Sequence, residues 1–229
     1  MEVDPCVRFE QLEDADGVAR TAAEAILLHA ERAIAARGVF RIVLSGGTTP
    51  LAAYRLLARE SADWDAWEVF FGDERCVPSD SEDRNDVAAR RAWLDGISIR
   101  RDRIFGIPAE LGAERAARVY ARTIGLKRPF DLVLLGMGED GHTASLFPGR
   151  DVAVDALAVA VHDAPKPPPD RVSLTPKALT DCRAMLILVT GSSKQVALSA
   201  WRSGSDLPVA RIAAAGHARV LTDCAAAGH

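Results

Sequence analysis

Hydrophobic residues along the chain fall into two kinds of stretch that take turns. Short, nearly unbroken apolar runs at residues 39–44, 67–71, 130–135 and 184–189 are each closed by a polar or glycine-containing segment. Runs of this length and composition predict strands of a sheet covered on both faces. Weaker strand signals lie at 103–107, 156–161, 171–175 and 218–221. Between them the spacing changes to three and four residues. Ala19, Ala22, Ala23, Ile26, Leu27, Ala30, Ala33 and Ile34 predict one long helix ending near Gly38, with a small-residue face suited to close packing on a sheet. Shorter helical patterns follow Pro50, span 84–94 and 110–124, return after Pro176 and run over 193–201.

Strands alternating with helices imply crossover connections. The expected fold class is therefore α/β, a mostly parallel sheet with helices on both faces. No Gly/Ser/Pro linker divides the 229 residues, so one domain spanning residues 1–229 is expected. Residues 165–169, Pro-Lys-Pro-Pro-Pro, should be extended and exposed, either as a semi-rigid lid or as a plain connection.

Charge narrows the partners. A formal net charge of −4 without a basic block argues against nucleic acid and against a membrane surface. No apolar run reaches membrane-spanning length, and the amino terminus lacks a basic region followed by an apolar one, so a cytoplasmic protein is expected. Cys6, Cys76, Cys182 and Cys224 are too widely spaced for a zinc site, so reduced thiols and no metal are expected.

The candidate chemistry sits in the segments that close the four main strands. In open parallel sheets the crevice at the carboxyl ends of the strands is where ligands bind. Ser45-Gly46-Gly47-Thr48-Thr49-Pro50 fits a strand-to-helix turn that cradles phosphate: glycines allow close backbone approach, hydroxyls add donors, and the new helix favours negative charge. The spacing and lysine of a nucleotide P-loop are missing. Lys194, in Gly191-Ser192-Ser193-Lys194, and Arg171 are candidate phosphate clamps, the first a point charge and the second a planar fork. Asp73 and Arg75 occupy a third polar segment, with Asn85 further along. In Gly136-Met137-Gly138-Glu139-Asp140-Gly141-His142, an acid and a histidine stand two residues apart. A carboxylate beside an imidazole fixes its tautomer and raises its basicity. No Ser or Cys nearby makes a convincing nucleophile, which points to activation of water. The same run satisfies G-x-G-x-x-G, but Glu139 and Asp140 would put carboxylates where a pyrophosphate must sit, so it is not read as a dinucleotide site.

Taken together, residues 44–50, 71–78, 136–148, 171–175 and 191–194 resemble the 6-phosphogluconolactonases, within a wider group that includes glucosamine-6-phosphate deaminases. The resemblance implies a cytoplasmic enzyme of the oxidative pentose phosphate pathway. It would hydrolyse 6-phospho-D-glucono-1,5-lactone without metal or cofactor, as a monomer or weak homodimer. It places His142 on the catalytic histidine and Asp140 on its neighbouring acid, with Arg75 on the arginine of the Asp-Glu-Arg motif, and Asp73 joins the catalytic group. Ser45, Gly46, Gly47, Thr48, Thr49, Arg171 and Lys194 fall on the phosphate-binding side. The family usually has Ser-Asn where this chain has Arg84-Asn85, and Arg84 is expected either to add charge at the mouth or to face solvent. Two other readings compete: an aminosugar-phosphate deaminase, which resembles the chain at Asp73 and Asp140-Gly-His142 but carries glutamate at the position of Phe147 and tyrosine at that of Arg75, and a non-catalytic sugar-phosphate-sensing domain.

Overall fold

A computed structural model of the protein describes residues 7–150 and 155–228. Two sheets organise them. The larger has seven strands in the order β1(Arg8–Leu12), β10(Arg219–Asp223), β9(Met185–Val189), β6(Leu132–Gly136), β2(Phe40–Leu44), β3(Trp67–Phe71), β5(Ile104–Phe105). Every neighbouring pair in it is parallel. Strands β3 and β9 are buried along their whole length, as a sheet covered on both faces requires. The four strong apolar runs became β9, β6, β2 and β3, which stand side by side and release their polar segments at one edge of the sheet.

Helix α1(Ala15–Arg37) starts where the Asp14 carboxylate accepts the Gly17 N–H at 2.7 Å, and stops where Gly38 takes a left-handed φ of 72°. Its buried face is mostly alanine, at Ala19, Ala22, Ala23, Ala30 and Ala33, which lets it lie against β2, β9, β10 and α2(Thr48–Leu57). A larger side chain at Ala22, which is fully buried, would overpack this contact at a cost of about 1–3 kcal/mol.

The smaller sheet differs from the sequence-based expectation. Asp73-Glu74-Arg75, expected as a polar loop, is strand β4(Asp73–Arg75), paired antiparallel with β8(Arg171–Leu174), which pairs antiparallel with β7(Ala158–Val161). Three residues carrying three charges offer no apolar period, so only the partner strand reveals this one. Gly72 joins the two sheets: its N–H donates to Leu44 O at 2.9 Å, and its carbonyl accepts from Leu174 N at 2.8 Å. Other boundaries shifted too. The pattern over 84–94 is α3(Asn85–Ala92) followed by a short 3-10 turn, and that over 110–124 is a 3-10 turn, Gly112 with φ 86°, and then α4(Ala113–Gly125). Helix α5(Pro176–Thr180) follows Pro176 as expected, and Lys194 lies on a 3-10 turn ahead of α6(Gln195–Arg202). The edge strand β1 and the short alanine-rich helices α7(Pro208–Ala215) and α8(Cys224–Ala227) carry too little period to be legible.

Candidate active site

A cleft of about 190 Å³ opens where the segments after β2, β3, β6 and β9 meet the small sheet. Its lining includes Ser45, Gly46 and Gly47 from the first segment, Asp73 and Arg75 from β4, His142 from the segment after β6, and Arg171 and Lys194. Asp140 stands behind His142 instead of on the wall. Thr48 and Thr49 lie outside the lining: Thr48 is exposed, and the Thr49 hydroxyl sits 2.5 Å from that of Thr190, tying the segment after β2 to the one after β9. Lys166 and Glu139 also line the cleft, and neither was singled out as a site residue in the sequence.

The two buried tyrosines, the only ones in the chain, brace the floor in the same way. Tyr54 accepts the Ser45 N–H at 3.1 Å and donates to the Ser45 carbonyl at 2.9 Å; Tyr120 accepts the Phe71 N–H at 2.8 Å and donates to the Phe71 carbonyl at 3.0 Å. Each phenol closes both backbone groups of a residue at a strand end, where the ladder stops supplying partners. Burial pushes both phenol pKa values up, which keeps them protonated donors.

At the end of β6 the chain turns tightly. Gly138 N–H donates to the His142 carbonyl at 2.8 Å, Gly141 N–H donates back to Gly138 O at 3.1 Å, and Gly141 has φ 82°. No helix opens here, so the G-x-G-x-x-G spacing lacks the helix N-terminus that a dinucleotide site needs. A Cβ on Gly138 would lie 2.0 Å from His142 Nδ1, so glycine is what lets the ring fold back over the turn. Nδ1 is 2.5 Å from Asp140 Oδ1, which also accepts the His142 backbone N–H at 3.1 Å. Burial opposes ionisation of Asp140, but these bonds and the nearby imidazole outweigh it and hold the carboxyl below the usual range. An ionised Asp140 fixes the proton on Nδ1 and leaves Nε2 as an acceptor. The ring also leans on Phe147, with centroids 4.7 Å apart.

Antiparallel pairing sets Arg75 directly opposite Arg171, so both guanidinium groups rise from one face of the small sheet. Arg75 donates through Nη1 to the Asp83 carbonyl, while its buried Nε has no hydrogen-bond partner. Arg171 is partly committed: it donates to the carbonyls of Lys166 at 2.7 Å and Pro168 at 3.1 Å, anchoring the 165–169 segment, of which Lys166 lines the cleft. Burial lowers the Arg171 pKa; Asp73 opposes this and Arg75 adds to it. Asp73 accepts Asn85 Nδ2 at 3.1 Å and the Ser145 hydroxyl at 2.6 Å. A Cβ on Gly46 would lie 2.0 Å from Asn85 Oδ1, so that glycine makes room for Asn85 to reach the lining.

Arg84 neither adds charge at the mouth nor faces solvent, contrary to both expectations. It is 3% exposed and donates to Asp86 at 2.8 Å, Glu110 at 3.1 Å and the Ile107 carbonyl at 2.9 Å. Glu74, fully buried beside it, accepts the N–H groups of Arg75 and Asn85 at 2.8 Å and of Asp86 at 2.9 Å, capping α3 from another strand; burial raises its pKa to about 7. Cys76, Cys182 and Cys224 are free thiols, and burial pushes Cys76 up to about 11, away from nucleophilic use. Cys6 and His229 lie outside the described residues. Among the described residues no helix is long and apolar enough to cross a membrane.

The sequence matches the family model for glucosamine-6-phosphate isomerases/6-phosphogluconolactonase over residues 13–222. It is 39% identical over 203 residues to the 6-phosphogluconolactonase of Mycobacterium leprae, covering 81% of each chain. It is 40% identical over 177 residues to that of Synechocystis, covering 73% of each. Among solved structures, the 6-phosphogluconolactonase of Thermotoga maritima superposes with a TM-score of 0.87 at 29% identity, covering 95% of this chain and 99% of that one. A monomeric glucosamine-6-phosphate deaminase superposes with a TM-score of 0.86 at 19% identity, a likeness of fold alone. A match over this much of the sequence, with the mostly parallel sheet of those structures, means that the chain belongs to the glucosamine-6-phosphate isomerase/6-phosphogluconolactonase family.

Proposed function

We propose that the chain hydrolyses 6-phospho-D-glucono-1,5-lactone to 6-phosphogluconate, with His142 as general base. The observation that carries this reading is one imidazole, oriented by Asp140, in the same cleft as a cationic rim built from Arg75, Arg171 and Lys194. The cleft's lining carries four cationic side chains, Arg75, Lys166, Arg171 and Lys194, against the carboxylates of Asp73 and Glu139, in a chain whose net charge is −4. That local reversal of sign suits a phosphorylated substrate.

In this mechanism Nε2 of His142 takes a proton from water as its oxygen bonds to C1 of the lactone. The tetrahedral oxyanion collapses, the C1–O5 bond breaks, and the same nitrogen returns the proton to O5. Asp140 keeps the imidazole in the required tautomer and stabilises its cation. Arg75, which lines the cleft and spends Nη1 on the Asp83 carbonyl, stabilises the oxyanion in this reading, and a donor of this kind is worth about 10²-fold or more. The phosphate takes no part in bond breaking; gripping it converts remote binding energy into orientation at C1.

The deaminase alternative is disfavoured at Phe147. Deaminases of this group carry a glutamate there, whereas here an aromatic ring packs on His142 and supplies no proton. The test feeds purified protein freshly made 6-phosphogluconolactone and follows acid release above the spontaneous rate, with glucosamine 6-phosphate and an ammonia readout beside it. Acid release with no ammonia is expected. Ammonia without lactone hydrolysis overturns the reading.

A further inference from the structure

Three arms of the cleft converge on one carboxylate. Glu139, in the turn after β6, pairs with Lys166 Nζ at 2.9 Å, and Lys194, on the 3-10 turn after β9, is close enough for its charge to act on the same group. Lys166, Lys194 and Glu139 all line the cleft. We propose that Lys166 is a second ammonium of the phosphate subsite, shared with Lys194, and that Glu139 is an internal anion which the substrate's phosphate replaces on Lys166.

The pair is not needed to hold the 165–169 segment in place. Arg171 already donates to the carbonyls of Lys166 and Pro168. Arg150 donates to the carbonyls of His162 and Asp163, and His162 bridges Asp170 and Glu114, each at 2.7 Å. The Lys166–Glu139 contact is solvent-exposed, with 64% and 49% of the two side chains accessible, a setting in which an ion pair adds little to stability. What it does is set the charge of the subsite. With Glu139 in place Lys166 is paired with a carboxylate whose charge Lys194 also feels; a phosphate dianion brings more charge and three acceptor oxygens to the two ammonium groups. The lowered pKa of Lys194, caused first by burial, then opposed by Glu139 and reinforced by Lys166, fits two crowded ammonium groups with an anion nearby. Glu139 thus weakens phosphate binding in proportion to its own hold on Lys166, so binding must displace it.

This inference rests on the reading of the cleft as a sugar-phosphate site, and two readouts separate the two. Inorganic phosphate binding to the purified protein is measured by calorimetry, and KM and kcat are measured with the lactone. Lys166→Met, which keeps the aliphatic stem, is expected to weaken phosphate binding and raise KM about tenfold with a smaller change in kcat, and Lys166→Arg should restore most of the affinity. Glu139→Gln is expected to act oppositely, tightening phosphate and lowering KM by roughly threefold. Wild-type phosphate affinity in Lys166→Met, or weakened affinity in Glu139→Gln, overturns the proposal, the second because it would make the pair a mere fastening of the segment. Lys166-dependent phosphate binding without lactone hydrolysis would leave this subsite standing and remove the catalytic reading. Hydrolysis whose KM ignores both substitutions would do the reverse.

Discussion

Strand β4 divides two populations of charge that look alike in the sequence. On one face, Arg75 and Asp73 border the cleft, and Arg75 keeps a buried Nε without a partner. On the other, Glu74 is fully buried with three backbone N–H groups upon it, and the neighbouring Arg84 spends its donors on Asp86, Glu110 and Ile107. Both faces carry an arginine and an acid. The two arginines differ in whether the protein itself has consumed their hydrogen-bonding capacity. A consumed charge holds the fold together, whereas one that lines the cleft with donors uncommitted is available to a ligand.

The widest separation between the cleft charges and the structural ones should come from His142→Ala. Loss of a positioned general base is expected to lower kcat about 10²–10⁴-fold, roughly 3–5 kcal/mol, with the thermal midpoint nearly unchanged. Normal turnover in that variant would end the general-base assignment. Next in size, Glu74→Ala strips three backbone donors of their acceptor and unfastens the start of α3, at a cost of about 2–4 kcal/mol in denaturant unfolding. If Glu74→Ala is as stable as wild type, the buried face is not structural in the sense argued.

Arg75→Met reverses that pattern. It should shift stability by less than about 1 kcal/mol while lowering kcat by about 10²-fold, the loss expected when an oxyanion donor is removed. A larger loss of stability in Arg75→Met than in Glu74→Ala would erase the contrast.

The smallest effect concerns the clasp beneath the 165–169 segment. Asp170 and then Glu114 raise the pKa of His162 above its ordinary value. A raised histidine pKa stabilises the folded state fully below the unfolded value of about 6.5, and that contribution fades as pH climbs through the higher folded value. The side chain is 47% exposed, so solvent screens the gain. An NMR titration should find His162 above 6.5, and Asp170→Asn should bring it down. A midpoint at or below 6.5 in the wild type would show that the clasp carries no charge.

Much of this architecture was legible from the apolar runs, because a strand buried on both faces must be apolar throughout and a helix on a sheet must repeat every three to four residues. The acid–histidine turn was legible for a similar reason: its members are neighbours in the chain, so spacing alone nearly fixes their contact. By itself, then, the sequence determined the alternation of strands and helices, the sheet edge where the polar segments emerge, and the pairing of Asp140 with His142. Only the tertiary structure decided the rest. Asp73-Glu74-Arg75 is a strand because Arg171-Val172-Ser173 lies beside it, and Arg84 is structural because Asp86, Glu110 and Ile107 surround it. Lys166 reaches the cleft because Arg171 holds its backbone there. Each of these depends on contacts the chain makes after folding back on itself, and whether a charge has spare bonding capacity is a property of such contacts and of no local pattern.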